Sequence, residues 1–246
     1  MFVFVNQRDI LKTTNTKGRF TMNPNTAILQ ASVDVMSITE REVRPDFDAA
    51  ISDVNHNGLP QAVWARRGRE ITDHFTNNRS IKVRHVHRGG IWQFEAIVDV
   101  EDRELYLLMT HQNLKRLQKL FMAKGYSTHY LFSLLHLNPA PIFKQQELLP
   151  LDSDEEEARE EDCEKILGEF AGMIDKVYVV AFDYVDFVVA KGAVYLCDQA
   201  GSTINSFDIS DMLIAKNVTD DEDALGSDRV KAPKKAEPLV KLKKKA

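Results

Sequence analysis

The chain predicts an α+β fold, an antiparallel sheet flanked by helices. Two patterns carry that expectation. Apolar residues recur at helical spacing near 60–76, 113–124 and 154–174. They alternate or run continuously near 81–88, 91–98, 105–109, 177–190 and 193–197, with turn residues between neighbouring strands. Composition supports a packed core, since the 246 residues are 43% hydrophobic and 28% charged.

The apolar start Met1–Val5 is too short for a signal peptide, and no basic residue precedes it. Residues 1–28 read as a polar, flexible arm. Short helices are expected over 37–43 and 46–54, divided by Pro45, with Asn55–Gly58 as a turn. Pro60 suits the first turn of a long helix whose apolar stripe is Val63, Trp64, Ile71 and Phe75. Asn77-Asn78 ends it. Gly89-Gly90 fits a two-residue hairpin loop between strands 81–88 and 91–98, and 105–109 follows the acidic turn 99–104. The helix 113–124 should bury Leu114, Leu117, Leu120 and Phe121 and stop at Gly125.

Residues 130–137 fit helix or strand equally, and Pro139, Pro141 and Pro150 bracket a connector. Ser153-Asp154-Glu155-Glu156 matches a capping box. The helix it opens should bury Cys163, Ile166, Leu167, Phe170 and Ile174. Strands 177–190 and 193–197 are expected to join at Lys191-Gly192, with a last short helix over 209–215. The tail 217–246, acidic and then lysine-rich, reads as disordered. Residues 29–216 read as one composite domain. A subdivision into 29–138 and 151–216 is the alternative, although the second piece is small for a core of its own.

Charge is sorted into blocks. Residues 66–88 carry seven cations against Glu70 and Asp73, and 152–164 carry nine carboxylates against Arg159. Residues 229–246 carry Arg229 and seven lysines against Glu237, and the sum over the chain is only −5. Such blocks point to charged partners. On a strand over 81–88, Lys82, Arg84 and Arg88 share one face with Val86, at intervals of roughly 7 Å. Arg66, Arg67 and Arg69 precede them on a helix; Lys115, Arg116, Lys119 and Lys124 follow on another. The binding surface expected is Arg66, Arg67, Arg69, Lys82, Arg84 and Arg88, facing an acidic protein or a nucleic-acid backbone. The acidic run satisfies a helix start and a solvated face; as function, it could dock on a basic partner.

Cys163 and Cys197 make no disulfide framework and suit reduced thiols in a cytoplasm. Cys163 sits among carboxylates that disfavour its thiolate. His85 and His87 share a strand face and could meet Glu95 or Asp99 around a metal, but read as half-buried structural histidines. No apolar run approaches the roughly 20 residues that span a bilayer.

Two stretches resemble nucleases. Arg69-x4-His74 matches the spacing of HEPN ribonucleases, but that family is all-helical. Val185 to Ala200 resembles the strand pair of PD-(D/E)XK nucleases, in which an aspartate leads one strand and an acidic-x-Lys triplet closes the next. The resemblance implies that Asp186 and Asp198 hold Mg or Mn, with Glu164 or Glu160 assisting. Ala200 replaces the lysine, so a degenerate, non-cutting copy is implied.

The leading expectation is a non-enzymatic, cytoplasmic interaction protein. It would act as inhibitor, adaptor or regulator on a protein or nucleic-acid-associated partner, without cofactor or membrane. The compact, motif-poor composition suits a bacterial or phage origin. The alternative is the metal-dependent or degenerate nuclease.

Overall fold

The computed structural model describes residues 22–89, 92–141 and 153–213. Residues 1–21 of the arm expected over 1–28, Gly90 and Ile91, residues 142–152, and residues 214–246, which include the tail expected over 217–246, lie outside them. So do the side chains of Ser153 and Asp154, on which the capping box rests.

The element order is α1 (Thr26–Met36), α2 (Glu40–Ala50), α3 (Leu59–Phe75), β1 (Ile81–Arg88), β2 (Trp92–Asp99) and β3 (Glu104–Thr110). Then come α4 (His111–Lys124), α5 (Tyr130–Leu135), α6 (Ser153–Leu167), β4 (Lys176–Val185), β5 (Val188–Cys197) and β6 (Thr203–Asp208). The six strands form one open sheet in the order β1-β2-β3-β4-β5-β6. Every neighbouring pair is antiparallel except β3–β4, which is parallel. The parallel pair follows from the connection: α4, α5 and α6 intervene, and a chain returning after helices can re-enter alongside its starting strand.

Strand alternation sends side chains to two cores. Leu105, Leu107 and Met109 of β3 and Val177, Val179 and Ala181 of β4 pack with α4, α5 and α6. Tyr106, Tyr178, Val180 and Phe182 face the opposite way, onto α1 and α3. Helices therefore cover both faces, which is why β4 reads as an unbroken apolar run rather than an alternating one.

Several elements differ from expectation. The arm expected over 1–28 is not loose to its end: Asn25 caps α1, its side chain accepting from the Ala27 and Ile28 amides, and Ile28 is buried. Pro45 stands inside α2 instead of dividing it. α2 buries only Phe47, and Arg41, whose carbonyl loses a partner to the proline, is exposed and can be hydrated. Residues 130–135 are helix, with all six side chains buried. α6 stops at Leu167, where Gly168 takes a φ of 56°, and a 3-10 turn over Gly168–Phe170 follows. Leu120 is 42% exposed rather than buried. β6 was not foreseen.

The β4–β5 turn lies at Asp186-Phe187, with φ of 49° and 67°, not at Lys191-Gly192. Gly192 has another job. It sits in β5 opposite Phe182, and a Cβ there would meet that ring at 2.9 Å and Ile209 at 3.0 Å. The glycine admits an aromatic ring into the core; it does not turn the chain.

Candidate binding surface around α4 and α6

The sequence-predicted basic residues do not form one free patch, because most are engaged within the chain. Arg67 is buried and donates to the Met36 and Ile38 carbonyls. Arg66 pairs with Glu70 and Arg69 with Asp73, each one helical turn on. Lys82 donates to the Asn78 carbonyl. Arg84 donates to the Ile166 carbonyl at 3.2 Å and lies against Gly168. Arg88 meets Asp162 at 2.6 Å, and the other oxygen of Asp162 accepts from the Ser133 hydroxyl, also at 2.6 Å. The strand face expected to be open is therefore the seat of α6. The acidic run and the basic strand meet inside one molecule at the Arg88–Asp162 pair.

The nuclease-like set is dispersed. Asp186 is at the exposed tip of the β4–β5 turn, and Asp198 follows the far end of β5. At roughly 3.3 Å per residue, the strand between holds them ~30 Å apart. Asp198 is committed elsewhere: its Oδ1 accepts from the Ala200 and Ser202 amides and shapes the turn into β6. Burial holds its carboxyl above the usual carboxylate range. Glu160 and Glu164 are exposed on α6. Among the described residues, no group of three or more His, Cys, Asp or Glu is placed to hold a metal. His85 and His87 are exposed rather than half-buried, and His85 Nδ1 lies 3.7 Å from Glu95. Burial pushes the Cys163 thiol up to about 12, with Asp162, Glu164 and Glu160 adding to the effect, so it is no nucleophile at neutral pH.

A cluster of exposed cations belongs to α4, where Arg116 donates to the Asn113 side chain at 2.8 Å. Thr110 caps this helix, its hydroxyl accepting from the Asn113 amide, and Gly125 ends it in the left-handed region at a φ of 78°. Leu114, Leu117 and Phe121 anchor one side in the core. His111 Nδ1 meets Asp183 at 2.9 Å, His111 Nε2 meets the Tyr195 hydroxyl at 3.3 Å, and Gln118 donates to the Gly201 carbonyl. The helix is thus pinned along its length. Its outer side presents Lys115, Arg116, Lys119 and Lys124, all exposed, and α4 contains no carboxylate. None of the four forms an ion pair among the described residues. Between and beyond them stand Leu120, Met122 at 75% exposure and Tyr126 at 48%.

α6 is the counterpart. Glu156, Glu157, Glu160, Glu161 and Glu164 are exposed, and Glu161 pairs with Lys165. Arg159 is turned inward, donating to the Phe132 and Gln199 carbonyls and lying 5.9 Å from the Phe121 ring of α4. A cleft of about 390 Å³ runs between the two helices, lined by Phe121 and Tyr126 on one side and Glu155, Arg159 and Asp162 on the other. The cleft is bordered by Phe121 of α4 and by Glu155, Glu156, Arg159 and Asp162 of α6, while the four cations of α4 lie outside its lining.

His129 stands behind this cleft as the N-cap of α5, its Nδ1 accepting from the Leu131 amide. Burial lowers its pKa to about 4, and the cations Arg116 and Arg88 push the same way. A base depressed when folded contributes stability that is full above its ordinary value of 6.5 and lost as pH falls through about 4. Each pH unit is worth about 1.4 kcal/mol, and partial exposure reduces the total to about 2 kcal/mol. Asparagine also caps helices but does not titrate. His129→Asn should therefore lose about 2 kcal/mol less than the parent between pH 7 and pH 4 in urea unfolding. Parallel curves for the two proteins would refute the assignment.

The chain belongs to the family described as "Family of unknown function (DUF5986)", whose model matches residues 41–246. No curated protein and no solved structure is significantly similar to it. Among the described residues, no helix is long and apolar enough to cross a membrane.

Proposed function

We propose that this member of the family is a non-enzymatic interaction protein, an adaptor, inhibitor or regulator, that docks on an acidic protein surface through α4. The observation that carries the reading is the contrast between two sets of cations. The arginines of α3 and β1 are engaged within the chain, whereas Lys115, Lys119 and Lys124 face solvent on a pinned helix with no carboxylate of its own, beside Arg116, which is held by Asn113.

A protein suits this face better than a nucleic acid. Met and Tyr are favoured at protein interfaces, and Met122 and Tyr126 stand exposed beside the cations.

The test uses a fluorescent glutamate-rich peptide and anisotropy. Binding should be measurable in about 50 mM salt and weaken strongly by about 300 mM. Replacing Lys115 and Lys119 together by Glu should weaken it at least tenfold, about 1.4 kcal/mol or more. Absence of peptide binding would overturn the reading, and tighter binding to an oligonucleotide than to the peptide would transfer the face to nucleic acid.

A further inference from the structure

We propose that Tyr195, His111 and Asp183 form a nucleophilic triad, in which the Tyr195 oxygen takes a phosphoryl group from an activated phosphate ester. The inference goes beyond docking through α4, because the chain itself becomes the covalent acceptor, once per molecule and without turnover.

Three elements bring the groups together. His111 opens α4, Asp183 is on β4 and Tyr195 is on β5. His111 Nδ1 lies 2.9 Å from Asp183 Oδ2, and His111 Nε2 lies 3.3 Å from the Tyr195 hydroxyl. A carboxylate only accepts, so Nδ1 carries the imidazole hydrogen and Nε2 is left to receive the phenol proton. Nucleophile, base and orienting acid thus stand in the order that activates a hydroxyl. The set is open to solvent, with the His111 side chain 20% and the Asp183 side chain 46% exposed. Burial holds the Tyr195 hydroxyl above its ordinary range, with Asp183 adding to the effect. Phenolate is therefore scarce at neutral pH, and attack needs the base.

The surroundings favour an anionic electrophile. His111 stands in the first turn of α4, at the positive end of the helix dipole. His111, Lys115 and Gln118 follow at i, i+4 and i+7, so they share one side of the helix. His111 reaches β5 and Gln118 reaches the Gly201 carbonyl just before β6, which places Lys115 on the side turned toward those strands. Asp208 of β6 opposes an anion, and Lys191 of β5 lies near enough to offset it. In the step, the Tyr195 oxygen bonds to phosphorus and the bond from phosphorus to the leaving oxygen breaks. The phenol proton passes to His111 Nε2 and then to the departing oxygen.

Labelling of the full chain with a fluorophosphonate, read by peptide mass spectrometry, tests this. With that probe the P–F bond breaks, fluoride leaves, and His111 passes the proton to solvent. Tyr195 should react at least tenfold faster than Tyr126, which is exposed and serves as the internal reference. Its rate should level off by about pH 8, once an imidazole is neutral, whereas an unassisted phenol keeps gaining rate toward about pH 10. His111→Gln and Asp183→Asn should each slow Tyr195 at least tenfold while the circular dichroism is kept. The second replaces a half-exposed side chain and turns the imidazole to the wrong tautomer. If His111 merely pins α4, loosening it exposes Tyr195 and labelling rises. Equal labelling of Tyr195 and Tyr126, or Tyr195 labelling that is unchanged or faster in either variant, overturns the triad. Millimolar pyrophosphate should slow labelling of the wild type but not of Lys115→Ala, against a chloride control of equal ionic strength. A wild type indifferent to pyrophosphate overturns the phosphate class of substrate.

Discussion

Asn138→Ala should destabilise the protein by about 3–5 kcal/mol, read as a shift of the urea midpoint with an unchanged slope. Asn138 follows α5 and is only 3% exposed. Its Nδ2 donates to the Val177 carbonyl at 2.9 Å and the Cys197 carbonyl at 2.8 Å, and its Oδ1 accepts from the Val177 amide at 2.7 Å. One side chain thus clamps the start of β4 to the end of β5. Alanine would leave three buried backbone groups without partners, each costing about 1–3 kcal/mol, partly offset by local relaxation. Asn138→Asp is the sharper control, since a carboxylate keeps the acceptor but offers no donor to either carbonyl. It should be at least as harmful at neutral pH and recover in part in acid, where protonation restores one donor. A loss below 1 kcal/mol for the alanine variant would show that the clamp is replaceable by water.

The same clamp shows which parts of the fold could be read from sequence. Periodicity and turn residues located α3, α4 and β1 to β3, and a continuous apolar run located β4, whereas the division between β4 and β5 was misplaced. Periodicity did not locate α1. Ile28, Leu29, Ala31, Ser32, Val33, Val35 and Met36 are all buried, so only a narrow polar stripe, Gln30 with Asp34 one turn on, remains to reveal a helical period. β6 was obscure for the opposite reason: Thr203–Asp208 is an edge strand without a fully buried residue. The β4–β5 turn escaped because Phe187 adopts a positive φ that sequence rules reserve for glycine or asparagine, while the nearby Gly192 offered a better-looking turn.

The candidate site was legible by half. Spacing placed Lys82, Arg84 and Arg88 on one face, and that face exists. What covers it could not be read locally, because Asp162 and Ile166 lie 74 and 82 residues along the chain from the arginines they engage. Among the described residues the acidic and basic blocks that suggested two external partners meet in one ion pair, Arg88 with Asp162. The cations of α4 were visible in the sequence as well, but their exposure together on one helix without an ion pair among the described residues is a tertiary fact. Their separation from the nuclease-like pair is equally tertiary, since the shifted turn carries Asp186 to one end of β5 and leaves Asp198 at the other.

Arg67 is the residue whose sequence reading changes most, and its replacement carries the second large effect. Arg67→Met should cost about 2–4 kcal/mol without weakening the binding of an acidic peptide. The guanidinium is 7% exposed. Its Nε donates to the Ile38 carbonyl at 3.0 Å, and its Nη2 donates to Ile38 at 2.6 Å and Met36 at 3.2 Å. It lies 4.9 Å from the Trp64 ring and 5.4 Å from the Tyr184 ring, and the Tyr184 hydroxyl donates to the same Met36 carbonyl. The positive charge therefore sits at the C-terminus of α1, where the helix dipole is negative, and ties that helix to α3 and β4. Charge-assisted bonds of this kind are worth about 1.5–3 kcal/mol each, less the cost of burying the cation. Methionine fills similar volume but leaves the Ile38 carbonyl without its donor. Arg67→Lys keeps the charge and loses the fork that reaches two carbonyls at once, so it should fall between the parent and Met. Stability unchanged in Arg67→Met, or peptide affinity lost in a variant that remains folded, would return Arg67 to the binding surface.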